Sequence, residues 1–128
     1  MKKILIIEDD PYVQRFYKKL FALQKFAIAI AADGQEGIEK AQNFLPDLIL
    51  LDIMMPKMNG LEVLKLLKKN PVTYDIQVVM LTNFGEEQYL HEAIQNGASA
   101  FLLKAAYSPE QLIVQVEKFI GEKDRSPK

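Results

Sequence analysis

The chain has 128 residues, 49% hydrophobic and 26% charged, the make-up of one ordinary folded domain and not of a disordered or fibrous protein. Sixteen basic against seventeen acidic residues leave a formal charge of −1, so no global field draws it to nucleic acid or to an anionic membrane. Cysteine is absent, which excludes disulfides, thiolate metal sites and cysteine nucleophiles and fits a reducing compartment.

The first apolar run, Ile4–Ile7, stops at Glu8, too short for a secretory signal or a membrane span, so a cytoplasmic location is expected. Asp10-Pro11 then places a capping side chain before a proline at a helix start, and Val13, Phe16, Tyr17 and Leu20 form an apolar stripe at helical spacing. Ala27–Ala31 reads as a weaker strand near an edge. Asp33 and Glu36 stand at capping-box spacing before a stripe of Ile38, Ala41 and Leu45. Leu48–Leu51 is the next buried strand, and Asn59 with Glu62 opens a helix carrying Leu61, Leu64 and Leu67. Ile76–Leu81 follows, then a helix with Leu90, Ala93 and Ile94 that ends at Asn96-Gly97. Ala100–Leu103 is the last strand, and Ser108-Pro109 with Gln111 opens a final helix bearing Leu112, Ile113, Val116 and Phe119. Near-continuous apolar strands alternating with amphipathic helices give an α/β fold, a (βα)5 doubly wound five-stranded parallel sheet with helices on both faces. Residues 1–121 make the expected domain, and 122–128 a polar C-terminal tail or linker stump.

Ligands of such a sheet bind beyond the carboxyl ends of its strands. Glu8-Asp9-Asp10, Asp52, Thr82-Asn83 and Lys104 follow the four buried runs, so parallel strands would gather them into one patch. Singly, each has a plain structural role: Asp10 as a helix cap, Thr82 as a turn residue, Lys104 as a solvated lysine. Jointly, an acidic pair, one Asp, one Thr and one Lys at the ends of different strands outweigh that reading. Glu8, Asp9 and Asp52 repel one another unless a positive ion sits among them. Hard oxygen ligands without histidine or cysteine favour Mg2+ or Mn2+. The chemistry this permits is phosphoryl transfer, with Asp52 as nucleophile and with Thr82, Lys104 and the ion binding phosphoryl oxygens. A flavin or nucleotide site on the same architecture is disfavoured, because Glu8-Asp9-Asp10-Pro11 offers charge and a missing N–H where phosphate needs free donors. An interaction module that is never phosphorylated is disfavoured by the presence of Asp52, Thr82 and Lys104. A phosphohydrolase would need a cap domain or general acid that the sequence does not display.

From Lys3 to about Ile120 the sequence resembles the receiver domains of two-component response regulators, chemotaxis-regulator-like and flavodoxin-like in fold. The first strand with its acidic pair is Ile4-Leu5-Ile6-Ile7-Glu8-Asp9-Asp10, and the phosphoacceptor segment runs from Leu50 through Asp52 and Met54 to Asn59-Gly60. The resemblance implies strand order 2-1-3-4-5. It makes Asp52 the phosphorylated residue, Asp9 a direct metal ligand, Glu8 a ligand through water, and the Met54 backbone carbonyl a further ligand. Thr82 and Phe101 take the switch positions, and Lys104 the phosphoryl-binding one. It further implies a sensor histidine kinase or histidine phosphotransfer protein as donor, and a downstream protein target or an output domain as receiver of the signal. No direct nucleic acid binding and no membrane contact are expected, and a phosphorylation-dependent dimer is allowed. The domain would be a signalling switch, not an enzyme acting on other substrates.

The chain departs from the family pattern at four places. Asn59 stands where Asp is usual, Asn83 where a small residue follows the switch threonine, and Phe101 lacks the usual hydroxyl. Lys104-Ala105 replaces Lys-Pro and is followed by one extra residue before the last helix, so the Lys104–Ala105 bond is expected to be trans, with Tyr107 in the place of the usual aromatic. Asn83 and Phe84 are expected to crowd hydrolytic water, and Met54 offers no group to orient it. His91 is expected to be a solvated side chain.

Overall fold

Runs of Ile, Leu and Val with no polar residue between them suit strands that bury both faces, and that is where the sequence puts them. The computed structural model describes residues 1–83 and 85–124. In order, the elements are β1 (Lys3–Ile7), α1 (Pro11–Ala22), β2 (Ala27–Ala31), α2 (Gly34–Phe44), β3 (Leu48–Leu51) and α3 (Gly60–Lys69). These continue with β4 (Gln77–Thr82), α4 (Glu87–Gln95), β5 (Ala100–Leu103), a 3-10 turn at Lys104–Ala106, and α5 (Pro109–Asp124). All strand pairs are parallel, in the order β2-β1-β3-β4-β5, so the expected sheet is the observed one and β2 lies at its edge. The expected tail overlaps α5, which runs through Asp124, and its last residues, 125–128, lie outside the described residues.

Side chains leave a strand on alternate faces. Leu5, Ile7, Ile49, Leu51, Val78 and Met80 therefore meet Ala41 of α2, Val63, Leu64 and Leu67 of α3, and Ala93 of α4. The intervening Ile4, Ile6, Leu48, Leu50, Val79, Leu81 and Leu102 meet Tyr17 and Phe21 of α1 and Leu112, Val116 and Ile120 of α5. At about 25 cal/mol per Å2 of apolar surface removed from water, the two layers supply the main favourable term in folding.

Caps fall where the sequence places them. Asp10 accepts from the Tyr12 and Val13 amides, Asp33 and Asn59 each accept from the amide three residues on, and Ser108 and Gln111 cap reciprocally. Glu36 reaches back to the Ala32 amide at 2.5 Å, and Lys40 donates to the Ile30 carbonyl at 2.5 Å, so two side chains of α2 bond the backbone at the end of β2 and just beyond it. Gly97, at φ +100°, ends α4 after Asn96, a conformation that favours glycine.

Three apolar stripes need correction. Phe16 is 48% exposed and Phe21 takes its place inside, because four-residue steps from Val13 through Tyr17 to Phe21 track the sheet while Phe16 lies a third of a turn away. Leu45 is not part of the α2 stripe but its left-handed cap, at φ 49°. On α4 only Ala93 is buried; Leu90 and Ile94 are 39% and 49% exposed.

Candidate functional site

Two residues beyond Ile6, Leu50 and Leu102, on the same faces of their strands, come Glu8, Asp52 and Lys104. The sheet therefore lifts two carboxylates and an ammonium, separated by up to 96 positions in sequence, to the top of one core layer. Glu8, Asp9 and Asp52 each offer a carboxylate oxygen within 4.8 Å of the others. Glu8 is 3% exposed and Asp52 is also buried, while Asp9 is more open to solvent. Lys104 Nζ donates to Glu8 Oε1 at 2.5 Å and to Asp52 Oδ2 at 3.4 Å.

The backbone around these groups is fixed from several sides. Glu8 Oε2 accepts from the Asp10 amide at 3.1 Å, and Gln14 of α1 donates its side-chain amide to the Glu8 carbonyl at 2.6 Å. Asp52 donates its backbone amide to the Ile7 carbonyl, and its Oδ1 accepts from the Ile53 amide at 2.8 Å. Ile53 is buried, anchoring the loop that follows. Gly60, the first residue of α3, donates to the Ile53 carbonyl at 2.7 Å, and a Cβ there would lie 2.0 Å from the Asp52 carbonyl oxygen. Only glycine lets α3 start that close to the acceptor candidate. The three methionines of the loop divide: Met55 and Met58 pack against the core, and Met54 is exposed.

Thr82 is the last residue of β4, not the first after it, and is fully buried. It follows Met80 on the α3–α4 face, and Phe101, register partner of Met80 on β5, is half-buried on that same face. The Lys104–Ala105 bond is trans, since no cis peptide occurs among the described residues. Lys104–Ala106 forms the 3-10 turn that accommodates the extra residue, and Tyr107 packs against the α1–α5 core. Asn83 is exposed, and Phe84 lies outside the described residues. His91 is solvated, 3.6 Å from Glu87 on its own helix.

Burial raises the pKa of Glu8, and the Asp52 charge adds to this, against the hydrogen bond and charge of Lys104 that lower it. For Lys104, burial works toward the neutral amine, but the Glu8 hydrogen bond and the Asp52 and Glu8 charges prevail and raise its pKa. One interaction thus shows both partners raised. The ammonium is secure, and its partner is a carboxylate short of positive charge: three carboxylates face one lysine. All the donors are hard oxygens, and a divalent cation would neutralise the excess, so the residues present fit Mg2+ or a similar ion.

A family model described as the response regulator receiver domain matches residues 4–117. The chain belongs to this family. It is 34% identical over 127 residues to the DNA-binding dual master transcriptional regulator RpaA of Synechocystis, covering 99% of this chain and 52% of that one. It is 40% identical over 106 residues to the transcriptional regulatory protein LnrK of Bacillus subtilis, covering 81% and 47%. The chain spans about half the length of these curated relatives. A receiver domain protein of Methanospirillum hungatei superposes with a TM-score of 0.92 at 26% identity over 99% of each chain. The receiver domain of a signal transduction histidine kinase from Syntrophus aciditrophicus superposes at 0.87 with 25% identity, covering 100% of this chain and 96% of that one. This chain is accordingly a receiver domain, the phosphoacceptor module of two-component signalling. Among the described residues no helix is long and apolar enough to cross a membrane.

The gathering of Glu8, Asp52 and Lys104 was legible from the sequence. The direct Glu8–Lys104 contact, the Gln14 clamp and the seat of Gly60 against Asp52 were not. Asn59-Gly60 at a helix start was the one local sign of the last.

Proposed function

We propose that Asp52 is the phosphoacceptor and that Glu8, Asp9, Asp52 and the Met54 backbone carbonyl hold Mg2+ beside it, with Mn2+ as a substitute. The observation that carries this reading is the approach of the three carboxylates within 4.8 Å, with Lys104 Nζ 3.4 Å from Asp52. A bound divalent cation would offset carboxylate charge and draw phosphoryl oxygens toward Asp52. An Asp52 carboxylate oxygen attacks phosphorus in a phosphohistidine; the new P–O bond forms as the P–N bond breaks, and the imidazole leaves with its electron pair. The Lys104 ammonium and the Thr82 hydroxyl bind oxygens of the transferred group, and water later returns Asp52 to the free carboxylate. The domain catalyses only its own phosphorylation and dephosphorylation.

Thr82 turning toward the phosphoryl group withdraws its side chain from the α3–α4 face, which frees Phe101 to repack. The donor is a sensor histidine kinase or a phosphotransfer protein in the cytoplasm. The receiver unit is residues 1–121, with 122–128 a tail or linker to an output domain or none, acting on a downstream protein. A phosphorylation-dependent dimer fits the same scheme, and the domain itself reads no nucleic acid. The test is intact mass after incubation with a small-molecule phosphodonor and Mg2+. Wild type gains one hydroxylamine-labile phosphoryl group; Asp52→Asn gains none. Labelling that persists in Asp52→Asn, or in wild type with excess chelator, overturns the assignment.

A further inference from the structure

The three carboxylates of the site are held unequally. Glu8 accepts from Lys104 and from the Asp10 amide, and Asp52 accepts from the Ile53 amide and lies 3.4 Å from Lys104 Nζ. Asp9, the most exposed of the three, makes no side-chain hydrogen bond or ion pair among the described residues. Where its carboxylate points is therefore set by its own backbone and rotamer. The Glu8 amide makes the last sheet bond of this strand, to the Ala31 carbonyl at 3.0 Å, and the pairing with β3 has already stopped at Ile7 and Leu51. No backbone amide among the described residues reaches the Glu8 carbonyl; the half-buried Gln14 side chain supplies its donor, at 2.6 Å. The Gln14 backbone amide donates in turn to the Asp10 carbonyl at 2.9 Å. One residue thus grips the chain just before and just after Asp9. The second grip is an ordinary first turn of helix. The first is not: water would satisfy the Glu8 carbonyl as well, whereas a protein donor also fixes the plane of the Glu8–Asp9 peptide.

We propose that Gln14 is a positioning residue for the metal: its side-chain amide fixes the Glu8–Asp9 peptide and so aims the Asp9 carboxylate into the set formed with Glu8 and Asp52, within 4.8 Å of both. Without that bond the peptide turns about ψ of Glu8 and φ of Asp9. Repulsion from the Glu8 and Asp52 carboxylates then drives Asp9 outward, toward the solvent it already meets. The direction of the effect follows. Loss of the donor lowers affinity for a divalent cation, because the ion must then order a ligand as well as bind it. The inference rests on the metal reading above and deepens it.

Mn2+ is the probe, because the electron paramagnetic resonance signal of the free ion gives its Kd without any phosphoryl transfer. Gln14→Met keeps the reach and helix propensity of the side chain and removes the donor. It should weaken Mn2+ binding about tenfold, the low end of what loss of a bond behind a metal ligand does. Asp9→Ala should weaken binding too, and adding Gln14→Met to it should cause no further loss, since no carboxylate is left to aim. Mere support of the fold would lower affinity equally in both backgrounds. Melting in excess chelator checks that the variants are folded; Gln14→Ala, also without a donor, is read in the same way should Gln14→Met melt early. Wild-type affinity in Gln14→Met, or an equal further loss in the Asp9→Ala background, overturns the role of Gln14 alone. Wild type that binds no Mn2+, or binds it no more tightly than Asp9→Ala does, overturns the metal reading and this role with it.

Discussion

Helices α3 and α4 lie side by side on one face of the sheet, yet they are held in opposite ways. Helix α3 buries Gly60, Leu61, Val63, Leu64 and Leu67, and Asn59 caps it by accepting from the Glu62 amide. Its first residue touches the Asp52 backbone so closely that not even a methyl group fits. Helix α4 buries only Ala93, and its N-cap Glu86 accepts no hydrogen bond with its side chain. One helix is built into the acceptor loop; the other buries a single small side chain, with Tyr89 packed only partly against the core. Local stability follows buried contacts and satisfied caps, so α4 belongs to the part of the domain that opens at low cost. Thr82 and Phe101 sit on strands that α4 covers or adjoins, so a change at the site would be felt first where resistance is least.

The contrast is sharpest in the cores. Leu64→Ala should cost about 3 kcal/mol, by lost transfer energy plus the cavity left behind. Leu90→Ala, at a partly exposed position, should cost under about 1 kcal/mol. Denaturant unfolding of both variants measures this, and equal costs would erase the distinction. At the helix starts, Asn59→Ala should lose about 1 kcal/mol by removing a working cap. Glu86→Ser should gain about 0.5 kcal/mol by supplying a cap that α4 lacks, and should raise hydrogen-exchange protection of the α4 amides while leaving α3 unchanged. A stabilised protein with no change in α4 exchange would locate the gain elsewhere.

The smallest effect concerns pH. Lys68 of α3 donates to the Tyr74 and Ile76 carbonyls at 3.0 and 2.7 Å, binding the helix end to the approach of β4. Burial lowers its pKa below the usual 10.5, with Asp75 opposing. Below that lowered value the folded state bears the cost of a partly desolvated ammonium. Between it and 10.5 the unfolded chain binds more protons than the folded one, so stability rises with pH in that window. Wild type should therefore gain relative to Lys68→Met as pH climbs toward 10.5, in denaturant midpoints taken across the window. A difference that is flat or falls with pH contradicts the direction given.

The sheet and its caps were legible because the information is local. Apolar runs such as Leu48–Leu51 are too continuous for a half-exposed strand, and Asp10-Pro11 and Ser108-Pro109 announce helix starts within two residues. The trans bond at Lys104–Ala105 was legible too, since an added residue and a missing proline both argued for it. What escaped depends on the third dimension. Leu90 and Ile94 repeat like a buried stripe, but α4 approaches the sheet along Ala93 and Tyr89, and no periodicity distinguishes an occupied apolar face from a bare one.

The bonds from α2 to the edge strand have a consequence for self-association. The Ala27 amide and the Ala31 carbonyl point inward to β1, so the alternate Ile30 carbonyl and Ala32 amide point outward, where an incoming strand from another chain would pair. Lys40 holds the first and Glu36 the second, and the two side chains are themselves 3.8 Å apart. A strand adding at this border would have to detach both and displace the mutual pair, with a helix in its path. The upper end of the outer border is therefore closed to extension by α2, and growth of the sheet into a larger aggregate is blocked there by two ordinary surface side chains.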